Sequence, residues 1–250
     1  MTLFNASKKM AISKEVSIIT TFTALVAVST MTFSVYVPAT KGYFNLGEVM
    51  VYISAILFGA RVGGIAGGLG SMIADILLGY PIFAPATLII KGLEGTIVGF
   101  LSERIVVMPK KKFSESTSLV AGISFASFLG ILGVLYYRGL LDVSFNLFNL
   151  ESIQSKLYVS PITWIFISIV WLVLILLFIF RFDYKLALLI LSVIAGGLVM
   201  ITGYFIYEWF LFGSAAIMEI PINIGQMVIG GTIALPIAGA ILKRRQIKTN

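Results

Sequence analysis

Apolar residues in this chain come in long runs. Eight stand out, at roughly 16–37, 47–60, 62–79, 84–107, 117–137, 160–180, 185–212 and 219–242. A helix needs about 20 apolar residues to cross the hydrocarbon core of a bilayer, so each run predicts a span. The second and third are short and glycine-rich, separated only by "FGARVG". Polar positions inside the runs are few. In "APATLIIKGLEGTIVGF", 84–100, Lys91 and Glu94 interrupt an otherwise apolar helix. An ionised side chain at mid-span costs roughly 2.5–3.5 kcal/mol. At a spacing of i, i+3 the two share a helix face and partly neutralise each other. Their cost falls further if that face lines a wet cavity.

Composition agrees with the pattern. Hydrophobic residues make up 59% of the 250 and charged residues 12%, against roughly 25% charged in soluble domains. The chain reads as an all-α polytopic membrane protein. It has no Cys and no His, which excludes disulfides, thiolate chemistry and the usual general base. No metal site is expected. The basic stretch 1–15 leads into a span too long for a signal-peptide core, so a retained first helix is expected.

The net charge of +7 finds its reason in orientation. With a cytoplasmic N-terminus, fourteen cations fall on the inner side: Lys8, Lys9, Lys14, Arg61, Arg104, Lys110, Lys111, Lys112, Arg181, Lys185, Lys243, Arg244, Arg245 and Lys248. Three fall on the outer side, Lys41, Arg138 and Lys156, and Lys91 on neither, which accounts for all 18. This asymmetry follows the positive-inside rule. It puts both termini in the cytoplasm and removes any need for a nucleic-acid partner. The outer segments are then 38–46, 80–83, 138–159 and 213–218. No connecting segment is long enough for a soluble ATPase domain. The phosphate-loop pattern is absent, and "GARVGGIAGGLGS" lies in an apolar span rather than after a soluble strand.

Glycines spaced four apart (Gly59, Gly63 and Gly67; Gly64 and Gly68; Gly95 and Gly99) let helix backbones approach closely in lipid. In the first span Thr20, Ala24 and Val28 lie along one face with Thr23 and Ala27 beside them. Either this face packs inside the bundle or it docks another membrane protein.

Under this topology the remaining polar groups cluster in the outer half of the membrane. Asn45, Glu48, Asp75, Lys91, Glu94, Glu208, Glu219, Asn223 and Gln226 come from several spans at similar depth. Glu219, Asn223 and Gln226 share a face. Tyr43, Phe44, Tyr80, Phe83, Tyr204, Tyr207 and Trp209 join them. Such a mixture suits an outward pocket for a small flat molecule; the competing use is interhelical hydrogen bonding. Expected ligand contacts are Asn45, Glu48, Asp75, Tyr80, Lys91, Glu94, Tyr204, Glu208, Asn223 and Gln226.

The stretch "GYFNLGEVMVYISAILFGARVGGIAGGLGSMIADILLGYPIFAPATLIIKGLEGTIVGFL", 42–101, resembles the substrate-binding (S) component of energy-coupling factor (ECF) vitamin transporters. "GGLVMITGYFIYEWFLFGSAAIMEIPINIGQMVIGGTIALPIAGAIL", 196–242, is similar to the last two helices of that family. The nearest branch is the riboflavin and hydroxymethylpyrimidine/pyridoxine type. The resemblance implies a six-helix bundle that binds a vitamin as substrate, with no other cofactor. It implies partners as well: a transmembrane coupling subunit and two cytoplasmic ATPases in the cell membrane of a prokaryote. The docking face would be carried by Thr20, Thr23, Ala24 and Ala27. Against that pattern, 110–184 reads as an inserted two-helix hairpin, giving one membrane domain of about eight spans over 1–250: 16–107, the insertion, and 185–242. An alternative is a self-sufficient ion-coupled secondary transporter with Asp75, Glu94 and Glu208 as relay groups. No inverted repeat supports it. No motif supports an enzyme.

Overall fold

The computed structural model describes residues 12–37, 40–107, 138–146, 153–181 and 184–247, with short helical pieces between 119 and 135. The expected span 117–137 therefore lies largely outside the described residues. So do Lys8, Lys9, Lys110, Lys111, Lys112 and Lys248 of the charge count.

Helices dominate, as the apolar runs predict. They are α1 (Ile12–Thr32), α2 (Glu48–Phe58), α3 (Ala60–Leu78), α4 (Ala84–Val107), α5 (Pro161–Arg181), α6 (Tyr184–Phe212) and α7 (Ile220–Ile247), with a 3-10 turn at Gly213–Glu219 between the last two. Four helical stretches among the described residues are long and apolar enough to cross a membrane, the tandem α6–α7 counting as one. The protein is a multi-pass membrane protein.

The short α2 is the axis of the bundle, with nine of its eleven residues buried. Helices close on it through glycines. At Gly63 of α3 an added Cβ would lie 2.6 Å from Ala55 Cα of α2 and 2.8 Å from the Gly95 carbonyl of α4. At Gly230 of α7 it would lie 2.3 Å from Glu48 Cβ. In lipid, where burying apolar surface drives nothing, such backbone approach is what binds helices together. α1 lies against α3, where Gly70 faces the Thr23 carbonyl and Val26. α5 stays peripheral, with Ile162, Phe166 and Ile169 all more than half exposed, as befits a lipid-facing helix.

A four-stranded antiparallel sheet caps one end of the bundle, in the order β2-β1-β3-β4. Its strands are β1 (Ser34–Val37), β2 (Gly42–Asn45), β3 (Gly139–Asn146) and β4 (Ile153–Val159). This differs from expectation at two places. The first span ends at Thr32 instead of 37, because the chain leaves the helix and extends into β1. The segment 138–159, expected to be a loop, pairs Ser34 with Asn146 and Tyr36 with Ser144. The all-α reading holds for the membrane part, and the sheet is added to it. At the opposite end, Glu15 pairs with Arg61 at 3.0 Å, and Glu103 accepts the Ala60 backbone N–H.

Candidate functional site

Under the sheet, polar side chains from six elements meet in one cleft. β2 supplies Tyr43 and Asn45, which alternate with Phe44 and so point the same way. α3 supplies Ser71 and Asp75, one turn apart. α4 supplies Thr87 and Lys91, also one turn apart, and α6 supplies Tyr204 and Glu208. The 3-10 turn contributes Glu219, and α7 contributes Asn223 and Gln226.

Local structure fixes each group. α3 ends in a Schellman turn: Gly79, at φ 87°, lets Tyr80 N–H reach back to the Asp75 carbonyl at 2.7 Å. The turn sets Tyr80 against Tyr43 with ring centroids 4.6 Å apart. The Tyr43 hydroxyl donates to Asp75 Oδ1 at 2.5 Å. Burial, and then the neighbouring Asp75 carboxylate, push the Tyr43 phenol well above its usual value, so it stays protonated and remains a donor. Tyr204 donates to Thr87 Oγ1 at 2.9 Å. Gln226 clips β2 to α7: its Oε1 accepts Asn45 N–H at 3.2 Å and its Nε2 donates to Asn223 at 2.9 Å. Thr40 donates to Glu219.

The floor is an ion cluster. Lys91 Nζ pairs with Glu94 Oε2 at 3.2 Å and with Glu48. Tyr52 donates to Glu94 Oε1 at 2.7 Å. All four residues are buried. Lys91 faces the cleft from above this cluster, its ammonium 5.6 Å from the centroid of the Tyr204 ring.

The expected contacts divide accordingly. Asn45, Asp75, Lys91, Tyr204, Glu208, Asn223 and Gln226 line the cleft. Glu48 and Glu94 lie beneath it as partners of Lys91, and Tyr80 sits at the rim on Tyr43. The cleft adds Thr30, Ser71, Thr87, Tyr43, Phe83 and Glu219, of which the sequence reading noted the last three without assigning them as contacts. Ser71 and Thr87 carry a signal of their own: each stands four residues before a buried charge. Of the expected docking residues, Thr20 and Ala24 are exposed, Thr23 is half-buried, and Ala27 is buried against the bundle.

As it stands the cleft leaves about 40 Å³ of free space, against roughly 300–1,000 Å³ for ordinary small-molecule pockets. Two hollows of about 540 and 530 Å³ are lined mostly by apolar atoms, one between 126–135 and α5, the other along the α3–α4 glycines. Neither gathers charge. No group of three or more His, Cys, Asp or Glu side chains placed to hold a metal occurs among the described residues.

A helical membrane bundle with one polar, aromatic-walled cleft beneath an extramembrane cap defines a membrane solute-handling protein. The family described as "ECF-type riboflavin transporter, S component" matches residues 10–185. The chain belongs to that family, and is a substrate-specific membrane subunit of an ECF transporter rather than a member of an enzyme family. The matched residues run through 110–184, the stretch read above as an insertion. A protein of Pyrococcus woesei, described as "Uncharacterized protein in gap 3'region", is 38% identical over 133 residues, covering 53% of this chain and 80% of its own.

Proposed function

We propose that the sheet end of the bundle faces the cell exterior and that the cleft beneath it captures a vitamin or related flat micronutrient, of riboflavin or pyridoxine/hydroxymethylpyrimidine type. A transmembrane coupling subunit and two cytoplasmic ATPases would drive its uptake across the plasma membrane of a prokaryote. One observation carries the reading: hydrogen-bonding groups from six separate elements converge at a single depth beside Tyr43, Phe83 and Tyr204. Interhelical glue alone needs pairs of residues, not a common meeting point. In this reading Asn45, Asp75, Lys91, Tyr204, Glu208, Asn223 and Gln226 touch the ligand, Glu48 and Glu94 hold Lys91, and Tyr80 closes the rim. Thr20 and Ala24, with Thr23 beside them, form the exposed part of the coupling face, and Ala27 backs it.

The test is a thermal-shift panel on the detergent-purified protein. A ligand at a hundredfold excess over its Kd stabilises by about 2.7 kcal/mol. For a chain of this size 1 kcal/mol raises Tm by roughly 2–4 °C, so a shift of about 5–11 °C is expected with the right vitamin. Uptake in vesicles should require the coupling and ATPase subunits. No shift with any vitamin, or gradient-driven transport by the chain alone, would overturn the proposal.

A further inference from the structure

The charge inside the cleft is lopsided. Three carboxylates line it, from Asp75, Glu208 and Glu219, and Lys91 is its one lining cation. That ammonium is already committed to Glu48 and Glu94 beneath it. Counted together, one positive group faces five negative ones. Asp75 takes the Tyr43 hydroxyl and Glu219 the Thr40 hydroxyl, both neutral donors. Glu208 is 3% exposed, and its Oε2 has no hydrogen-bond partner. Glu208 and Glu219 are near enough to repel each other as like charges. A buried carboxylate without a partner is costly. The described residues supply none here, nor do they gather the ligand set of a metal ion. The walls around this end are the rings of Tyr43, Phe83 and Tyr204, whose faces attract cations.

Resting on the capture function proposed above, we infer that the ligand presents a positive charge, a protonated amine or cationic ring nitrogen, to Glu208 and Glu219, and that phosphorylated forms are rejected. An added phosphate would enter a site with no uncommitted cation among its lining residues and three facing carboxylates. An organic ammonium would complete Glu208 and separate it from Glu219.

Two pairs of probes differ in charge at nearly constant shape: pyridoxamine against pyridoxine, and benzamidine against benzamide. Binding to the purified protein is read by thermal shift and calorimetry, with pyridoxamine 5′-phosphate and riboflavin alongside. The cationic member of each pair should bind at least tenfold more tightly, and the phosphate ester more weakly than the free amine. Glu208→Gln should bring each pair to parity. Without any ligand it should also raise Tm, because it removes a buried charge that has no partner. Parity in the wild type, or a Glu208→Gln variant unchanged in both selectivity and unliganded Tm, overturns the inference. Tight binding of neutral riboflavin with both cationic probes inert overturns it while leaving the capture function intact. A panel in which nothing binds overturns both.

Discussion

Lys91 is the residue whose removal reports most directly on how the site is built. Its ammonium is the counter-charge of Glu48 and Glu94, which are 1% and 0% exposed. Replacing it by Met keeps the length of the side chain and deletes the charge. Two carboxylates then stay in a low-dielectric interior with only the Tyr52 hydroxyl, 2.7 Å from Glu94, as donor. Breaking a buried ion pair from one side costs about 3–5 kcal/mol, and here two acids share the loss. At roughly 2–4 °C per kcal/mol, Lys91→Met should lower Tm by about 6–20 °C. Glu48→Gln and Glu94→Gln added to Lys91→Met remove the stranded charges, so the triple variant should recover most of the loss. The assay is thermal unfolding of the detergent-purified protein, followed by tryptophan fluorescence without ligand. A single variant within about 2 °C of wild type, or a triple variant no better than the single, would refute the cluster as a mutually neutralising unit. The comparison also separates roles. Lys91 lines the cleft, so the triple variant should be stable yet bind ligand poorly.

Other expectations follow from particular contacts. Gly95→Ala places a Cβ 2.2 Å from the Gly63 carbonyl oxygen, backbone that cannot yield, and should destabilise by about 1–3 kcal/mol. Gly92→Ala, whose nearest contact is 3.5 Å, should be neutral or stabilise by up to about 1 kcal/mol through helix propensity; thermal unfolding of both tests the α3–α4 approach, and equal effects would sink it. Tyr43→Phe removes the donor to Asp75 and should cost about 1–3 kcal/mol, seen as a lower Tm and weaker ligand binding. Gly79→Ala strains the left-handed turn after α3 by about 1–2 kcal/mol, although nothing crowds the position. Gly79→Asn should recover part of that loss in the same melt, because asparagine tolerates the conformation.

The helices were legible because lipid tolerates few alternatives: a run of about 20 apolar residues must span or be buried. Much of the cleft was legible for the same reason, since a charge kept within such a run has to face something polar. The sheet was not. Ser34–Val37 continues an apolar run without a break, and its partner β3 lies over a hundred residues away, a pairing no local pattern announces. Depth was not legible either. Lys91 and Glu94 share a face, but at 1.5 Å per residue Glu94 lies about 4.5 Å further along the helix. That offset makes one a wall of the cleft and the other part of its floor. Hydroxyls were overlooked because a Ser or Thr in a helix can satisfy itself on its own backbone, as Thr30 does on the Val26 carbonyl at 2.8 Å.

The narrowness of the cleft then bears on how a ligand enters. Its floor is an ion cluster that is costly to disturb, whereas its roof is strand β2, held by separate small contacts. The Tyr43–Asp75 hydrogen bond, to a charged group, contributes about 1.5–3 kcal/mol and the Asn45–Gln226 bond about 0.5–1.5. The Tyr43–Tyr80 stack adds about 0.5–1.5. Lifting β2 off the helices thus costs about 2.5–6 kcal/mol, less than the roughly 8 kcal/mol released by a ligand of micromolar affinity. The ladder from β2 through β1 to β3 moves that strand together with the 138–159 hairpin. Opening is therefore a motion of the cap over a fixed floor, and the extra strands set how far Tyr43 can swing away from Asp75.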